Sequence, residues 1–306
     1  MKSAKYVITD VFTDKQFGGN QLAVFRDGRE MSSSLMQDIA REMNYSETTF
    51  FLPPEKDGDC KVRIFTPARE LPFAGHPLVG SAFVAVSERN VEWVEPFTTV
   101  KMETGAGLIP ATVKITEGAP GKTTMNQPLP RIKNDIQDWA AFAGALCVPA
   151  SEIEGTGLPI QILFNGLTVI LVPLKSLSAI QNMEADFSAL KRTAAQYDAE
   201  TVLTFALETV QAESTVHCRV FAPGAGVFED PATGSANGPL GFYLVHHGKV
   251  KPGSAGVAHI RSEQGFEMKR PSILDIEVAM DEGGKTPSAV RVGGNVVISG
   301  RGEIFL

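Results

Sequence analysis

His76-Pro77-Leu78-Val79-Gly80-Ser81-Ala82 returns 154 residues later as Asp230-Pro231-Ala232-Thr233-Gly234-Ser235-Ala236. Each copy follows a second shared phrase, Arg63-Ile64-Phe65-Thr66-Pro67 in the first half and Arg219-Val220-Phe221-Ala222-Pro223 in the second. Both lead from a β-branched run through a Pro/Gly-rich turn into a smooth apolar stretch, Ala82 to Val86 or Leu240 to Val245. That order predicts a strand, a tight turn and a helix N-terminus, with proline near the first helical position, where its missing N–H costs nothing. Two phrases in one order with nearly equal spacing point to an internal duplication.

Length agrees, since 306 residues at roughly 150 per domain give two domains. With 43% hydrophobic and 21% charged residues, each half has apolar material for its own core. A net charge of −7 with dispersed basic residues points away from nucleic acid. No apolar run approaches the roughly 20 residues of a membrane span. The N-terminus enters a strand-like Val7-Ile8-Thr9-Asp10-Val11-Phe12 without a signal-peptide core. Cys60, Cys147 and Cys218 are sparse, odd in number and without metal-ligand spacing. A cytoplasmic protein with no metal and no membrane contact is expected.

Along the chain, residues 5–26 read as a hairpin whose turn, Thr13 to Asn20, ends in Gly18-Gly19-Asn20; this tripeptide is either a plain turn or the lining of a site. Ser34 to Asn44 reads as a helix, with a capping box from Ser34 and Gln37 and a left-handed stop at Asn44. A strand from Thr48 to Leu52 follows. Ser188 to Tyr197 and Thr201 to Leu207 repeat the helix and strand in the second half. After a helix over about 77–89, short strands are expected near 91–95, 98–104, 107–115 and 122–127. A helix is expected from Asp135 to Ala145, then strands near 160–164 and 168–173 joined by Asn165-Gly166. Beyond a helix near 232–247, strands are expected near 256–262, 272–279, 289–292 and 296–300. Leu78 to Val86 is apolar nearly all round, so its helix belongs inside a sheet. The fold class is therefore α+β: two pseudo-symmetric lobes, each a curled, barrel-like antiparallel or mixed sheet around a central helix. Residues 1–126 with 295–306 form the expected N-terminal lobe, and 127–294 the C-terminal one.

Duplicated lobes tend to turn equivalent elements toward one another, which places the expected active site in a cleft between them. Two helix N-termini facing a cleft would offer free N–H groups and positive dipole ends to a carboxylate. Phosphate ranks lower, because no lysine follows the glycines. At matched motif positions the halves carry His76 and Asp230, a change of chemistry that points to divided labour. Either residue could instead be a helix N-cap or, for His76, a core histidine. Glu47, beside Phe50 and Phe51, is a third candidate: apolar surroundings would raise a carboxylate's proton affinity, although an acid in a turn is commonly solvated surface.

The runs Asp10-Val11-Phe12-Thr13-Asp14-Lys15-Gln16-Phe17-Gly18-Gly19-Asn20, Ser46-Glu47-Thr48, Arg63 to Pro67, Leu71-Pro72-Phe73-Ala74-Gly75-His76-Pro77 and Glu229 to Ala236 together resemble the PhzF family of phenazine-biosynthesis-like isomerases, over nearly the whole chain. The resemblance implies a diaminopimelate-epimerase-like fold, no metal or organic cofactor, a small carboxylic-acid substrate and a homodimer. It implies that Glu47 is the general acid/base, that His76 and Asp230 position substrate and assist proton transfer, and that Gly75, Gly234 and Ser235 bind its carboxylate. Asn20 would line the cleft, though Gln21 follows it where the family commonly has proline. The implied reaction is a proton shift in a dihydro-hydroxyanthranilate-like acid. Two alternatives stand beside it: a two-base epimerase or racemase, and a non-catalytic binder of small carboxylates. Two-thiol epimerases of this fold carry a cysteine at each helix turn, and neither turn has one here.

Overall fold

A helix that is apolar on every side must be walled in on every side. The computed structural model describes residues 2–306; Met1, at the head of the expected N-terminal lobe, lies outside them. The chain divides into two compact units, one running to Asn126 and taking in Gly293–Leu306, the other Gln127–Val292. The class is α+β, with mixed sheets and few helices.

In the first unit, β1 (Ser3–Val11) and β2 (Asn20–Phe25) form the expected hairpin, and α1 (Ser33–Met43) crosses to β3 (Glu47–Leu52), parallel to β2. β3 pairs antiparallel with β4 (Cys60–Phe65), and β4 with the two-residue β5 (Glu70–Leu71). Then come α2 (Gly75–Ser87) and the antiparallel run β6 (Phe97–Thr104), β7 (Gly107–Thr116) and β8 (Ala119–Gln127), with β6 also parallel to β4. Every residue of α2 from Gly75 to Val86 is buried, and the helix touches β1, β2, β3, β4, β6 and β7. Gly80 permits that closeness: a Cβ there would lie 2.6 Å from Leu22 Cδ2 and 2.9 Å from Val11 Cγ2. On the outer face, α1 lays Met36, Ile39 and Ala40 over Phe25, Phe50 and Phe65.

Three local expectations need correction here. The N-cap of α1 is Ser32, whose hydroxyl accepts from the Leu35 N–H, and not Ser34. No capping box forms, because Gln37 donates to the carbonyls of Thr66 and Pro67; Asn44 does stop the helix, at φ 52°. Residues 91–95 form no strand. Val91 N–H turns back to Ala85 O, and Val94 is tied through both main-chain groups to Thr98 Oγ1.

The second unit runs β9 (Arg131–Ile136), α3 (Trp139–Leu146), α4 (Ala150–Glu154), β10 (Ile160–Phe164), β11 (Thr168–Pro173), α5 (Leu177–Gln181), α6 (Phe187–Ala195), β12 (Thr201–Ala206), β13 (Val216–Ala222) and β14 (Val227–Asp230). It continues through α7 (Gly234–His246), β15 (Val257–Gln264), β16 (Ser272–Met280) and β17 (Pro287–Gly294). The final strand, β18 (Val296–Phe305), lies antiparallel along β1 in the first unit. The helix expected from Asp135 starts later, at Trp139 with Asp138 as its cap. Residues 131–136 are instead a strand paired antiparallel with β10, where Gln161 Nε2 donates to Asp135 Oδ1 at 2.7 Å.

The two units repeat one connectivity. Each has a hairpin, a helical crossover to a parallel strand, a return strand with a short partner, and a buried helix. The return strand in each then takes a second, parallel neighbour, β6 on β4 and β15 on β13. The repeated Arg-x-Phe phrase builds the same clamp twice. Arg63 grips Glu70 through Nε and Nη2 and lies 5.0 Å over the Phe65 ring. Arg219 grips Glu229 in the same way and lies 5.3 Å over Phe221. A second repeat is a glutamate that holds the loop before the return strand. Glu103 accepts from the N–H groups of Glu55, Lys56 and Gly58, and Glu263 from those of Val210 and Gln211.

Burial separates the two clamps, with side-chain exposures of 19% and 42% for Arg63 and Glu70 but 8% and 7% for Arg219 and Glu229. Removing one partner of a buried pair strands the other charge and costs about 3–5 kcal/mol, whereas exposed pairs contribute roughly 1 kcal/mol or less. Arg219→Met should therefore lower stability several-fold more than Arg63→Met in chemical denaturation. Equal losses would show that burial does not set the strength of the clamp.

Candidate active site

In the first unit the site is assembled at the starts of three elements. Asn20 opens β2, Glu47 opens β3 directly after the left-handed stop at Asn44, and Gly75 and His76 open α2. Parallel pairing sets Leu22 beside Glu47, so the beginnings of β2 and β3 fall at one edge of the sheet. His76 Nε2 lies 3.4 Å from Glu47 Oε2, and His76 Nδ1 lies 3.3 Å from Asn20 Nδ2. His76 is 5% exposed. The Nε2–Glu47 approach lacks hydrogen-bond alignment, which leaves Nε2 a buried polar atom with no hydrogen-bond partner among the described residues. Burial drives the pKa of His76 down to about 3, against a weaker opposing pull from its bond to the Gln21 main chain. The imidazole is therefore neutral at pH 7, with a nitrogen close to a carboxylate.

In the second unit, Asp230 ends β14, and Pro231-Ala232-Thr233 turns into α7 at Gly234 and Ser235. Thr233 Oγ1 donates to Asp230 Oδ2. The turn is organised by Gln264 at the end of β15. Its Nε2 donates to Asp230 O at 2.7 Å and to Thr233 Oγ1 at 3.0 Å, while its Oε1 accepts from Thr233 N–H at 3.0 Å and Asn237 Nδ2 at 2.9 Å. Ser272 Oγ adds a bond to Pro231 O at 2.8 Å. Neither N-cap residue, Ala74 or Thr233, provides a side-chain bond to the first turn of its helix. Those first-turn N–H groups are consequently not occupied by a capping side chain, and each helix end presents a positive dipole terminus.

The motif alignment of His76 with Asp230 is not the structural one. α2 begins one residue before His76, whereas α7 begins four residues after Asp230. By helix start, Gly75 corresponds to Gly234 and His76 to Ser235; Asp230 belongs to the preceding strand. Neither His76 nor Asp230 is an N-cap. Gln264 escaped the sequence reading because nothing near it in the chain marks it; it reaches the turn only through β13–β15 pairing.

The two buried thiols are not reactive groups. Burial pushes Cys60 and Cys218 up to about 12, with nearby carboxylates adding to the effect, and both are inert at pH 7. Among the described residues, no three His, Cys, Asp or Glu side chains gather as a metal site. Likewise, no helix among them is long and apolar enough to cross a membrane.

The sequence pattern of the family described as "Phenazine biosynthesis-like protein" matches residues 9–302. A trans-2,3-dihydro-3-hydroxyanthranilate isomerase of Pseudomonas aeruginosa is 36% identical over 304 residues, covering 99% of each chain. An uncharacterized isomerase of Clostridium acetobutylicum is 32% identical over 300 residues, covering 97% of this chain and 96% of its own. Among solved structures, a PhzF-family phenazine biosynthesis protein of Bacillus anthracis superposes with a TM-score of 0.90 at 25% identity, covering 100% of both chains. A hydroxyproline epimerase of Agrobacterium vitis shares the fold with a TM-score of 0.66 at 15% identity, covering 99% of this chain and 92% of its own.

The state of His76 can be checked directly. Its folded pKa lies below the unfolded value, so its contribution to stability is full above pH 6.5 and is lost as pH falls from there toward about 3. Imidazole ¹⁵N NMR should show a neutral His76 ring from pH 8 down to pH 5. A titration step between pH 6 and 7 would contradict the buried, neutral assignment.

Proposed function

The chain belongs to the phenazine-biosynthesis-like (PhzF) family and is an isomerase, and we propose that it moves a proton between two carbons of a small unsaturated acid of the trans-2,3-dihydro-3-hydroxyanthranilate class. The observation that carries this reading is the Glu47–His76 pair: a carboxylate 3.4 Å from a neutral, buried imidazole nitrogen. Glu47 removes the proton from an sp³ carbon of the substrate. The electron pair left behind spreads into the adjacent double bond, and the protonated Glu47 returns the proton to the far carbon of that system. Nothing is oxidised or reduced; one C–H bond breaks, another forms, and the double bond shifts. Because Asn20 Nδ2 donates to His76 Nδ1, the neutral ring carries its hydrogen on Nε2, where it favours the carboxylate form of Glu47 that takes up the proton. Asn20 fixes the ring from its other nitrogen.

In the same reading, the first-turn N–H groups of each helix, at Gly75 in one unit and at Gly234 and Ser235 in the other, suit an anion such as the substrate carboxylate, because the helix dipole favours one there. Asp230, oriented by Thr233, receives the substrate's amino or hydroxyl group. The two-base epimerase alternative would set His76 and Asp230 at one stereocentre as a matched pair. Their unequal places, one inside a helix and one ending a strand, give that alternative no support.

Glu47→Gln keeps the shape and hydrogen-bonding reach of the side chain but removes its basicity. It should fold as the wild type does, retain binding of substrate-like acids, and lose turnover of trans-2,3-dihydro-3-hydroxyanthranilate by on the order of 10²–10⁴-fold or more. Turnover within a few-fold of wild type would remove Glu47 from the mechanism.

A further inference from the structure

α7 contains a proline, Pro239, as its sixth residue, past the first turn in which a helix tolerates one. In an α-helix each carbonyl accepts from the N–H four residues on. The carbonyl of Ser235 should therefore be bonded by residue 239, and residue 239 is Pro239, which has no N–H. The missing donor comes from elsewhere in the second unit. Asn165 Nδ2, from the β10–β11 hairpin turn, donates to Ser235 O at 2.9 Å.

This contact belongs to a closed amide network whose orientation is fixed by its partners. Leu167 N–H donates to Asn165 Oδ1 at 3.4 Å, which leaves the Nδ2 hydrogens for Ser235 O and for Gln127 Oε1, the latter at 3.1 Å. Because Gln127 Oε1 accepts there, its Nε2 is the end that donates to Gly234 O, at 2.8 Å. Asn165 and Gln127 are 6% and 8% exposed. Gly238 completes the arrangement, since a Cβ there would overlap Gln127 Oε1.

The carbonyl of Gly234 and the N–H of Ser235 belong to one peptide unit. A hydrogen bond donated into the carbonyl polarises the unit and strengthens its N–H as a donor. We propose that Asn165, together with Gln127, is a positioning residue for carboxylate binding: Asn165 supplies the hydrogen bond that Pro239 denies to the helix and anchors the Ser235 carbonyl, and with it the orientation of the Gly234–Ser235 turn, while Gln127, through the Gly234 carbonyl, acts on the Ser235 N–H itself. This rests on the reading of that turn as the carboxylate site. The Asn165 side-chain amide thus does the work of the backbone donor that Pro239 lacks.

The proline supplies the test. Calorimetric titration with 3-hydroxyanthranilate and with its primary amide measures how strongly each protein prefers the acid. The wild type should prefer the acid. Asn165→Ala should lose on the order of tenfold in acid affinity, the worth of one hydrogen bond to a group that must stay oriented, with amide affinity unchanged. Asn165→Ala combined with Pro239→Ala should recover most of the loss, because residue 239 again carries an N–H. Pro239→Ala alone should keep the wild-type preference. It also guards against an Asn165→Ala protein that fails to fold, since in the Pro239→Ala background the Asn165 substitution should cost no more than about twofold. No acid preference in the wild type would overturn the reading of the turn and this inference with it. A preserved preference in Asn165→Ala, or a double variant no better than the single one, would overturn this inference and leave the reading of the turn intact.

Discussion

The structure depends on one constraint: a helix without a polar face has to be enclosed. From Gly75 to Val86, α2 has no exposed residue, so strands must surround it and its sequence can serve only packing. Its N-terminus is the exception. Four N–H groups there have no partner within the helix, and Ala74 offers no capping side chain. Polar chemistry in the unit therefore concentrates where the helix begins, beside the starts of β2 and β3. Asn20, Glu47 and His76 meet there because three elements start at one edge of the sheet.

Duplication supplied a second frame of the same kind, and divergence then gave the frames different chemistry. Both keep an Arg–Glu–Phe clamp and a glutamate that gathers a loop. At the matched place opposite that glutamate, the register sets Lys61 beside Glu103 in the first unit and His217 beside Glu263 in the second. His217 is fully buried and is bonded at both ring nitrogens, to Glu263 at 2.8 Å and Glu267 at 2.9 Å. Burial opposes its charge, but the two carboxylates outweigh it and lift its pKa to about 9. His76 has no such compensation and goes the other way, to about 3. The same residue type is a cation in one frame and a neutral imidazole in the other. Environment alone makes the difference.

Much of this was legible in the sequence where one short stretch contains both the cause and the effect. Asn165-Gly166 forms its hairpin, Asn44 stops α1, and the uniformly apolar run after Gly75 is the buried helix. Glu47 and His76 could be singled out because their phrases are distinctive, and Asn20 because the turn before β2 is polar and glycine-rich. What stayed hidden depends on distant partners. Arg131 to Ile136 is a strand only because β10 lies beside it. Val91 to Glu95 has strand-forming residues but finds no neighbouring strand among the described residues. Matching His76 to Asp230 failed because shared letters do not fix where a helix starts. Gln127, Asn165 and Gln264 shape the Asp230–Ser235 turn from far along the chain, and Pro239, which makes Asn165 necessary, gives no local sign of it.

The central claim is that a single carboxylate carries a proton from one carbon of the substrate to another. Its most direct test is turnover of trans-2,3-dihydro-3-hydroxyanthranilate in D₂O, with deuterium in the product located by NMR and counted by mass spectrometry. The account predicts a shifted double bond and a receiving carbon with less than full deuterium, because Glu47 returns part of the proton it removed. Inversion at one carbon, with solvent deuterium gained on each event and no movement of a double bond, would contradict it.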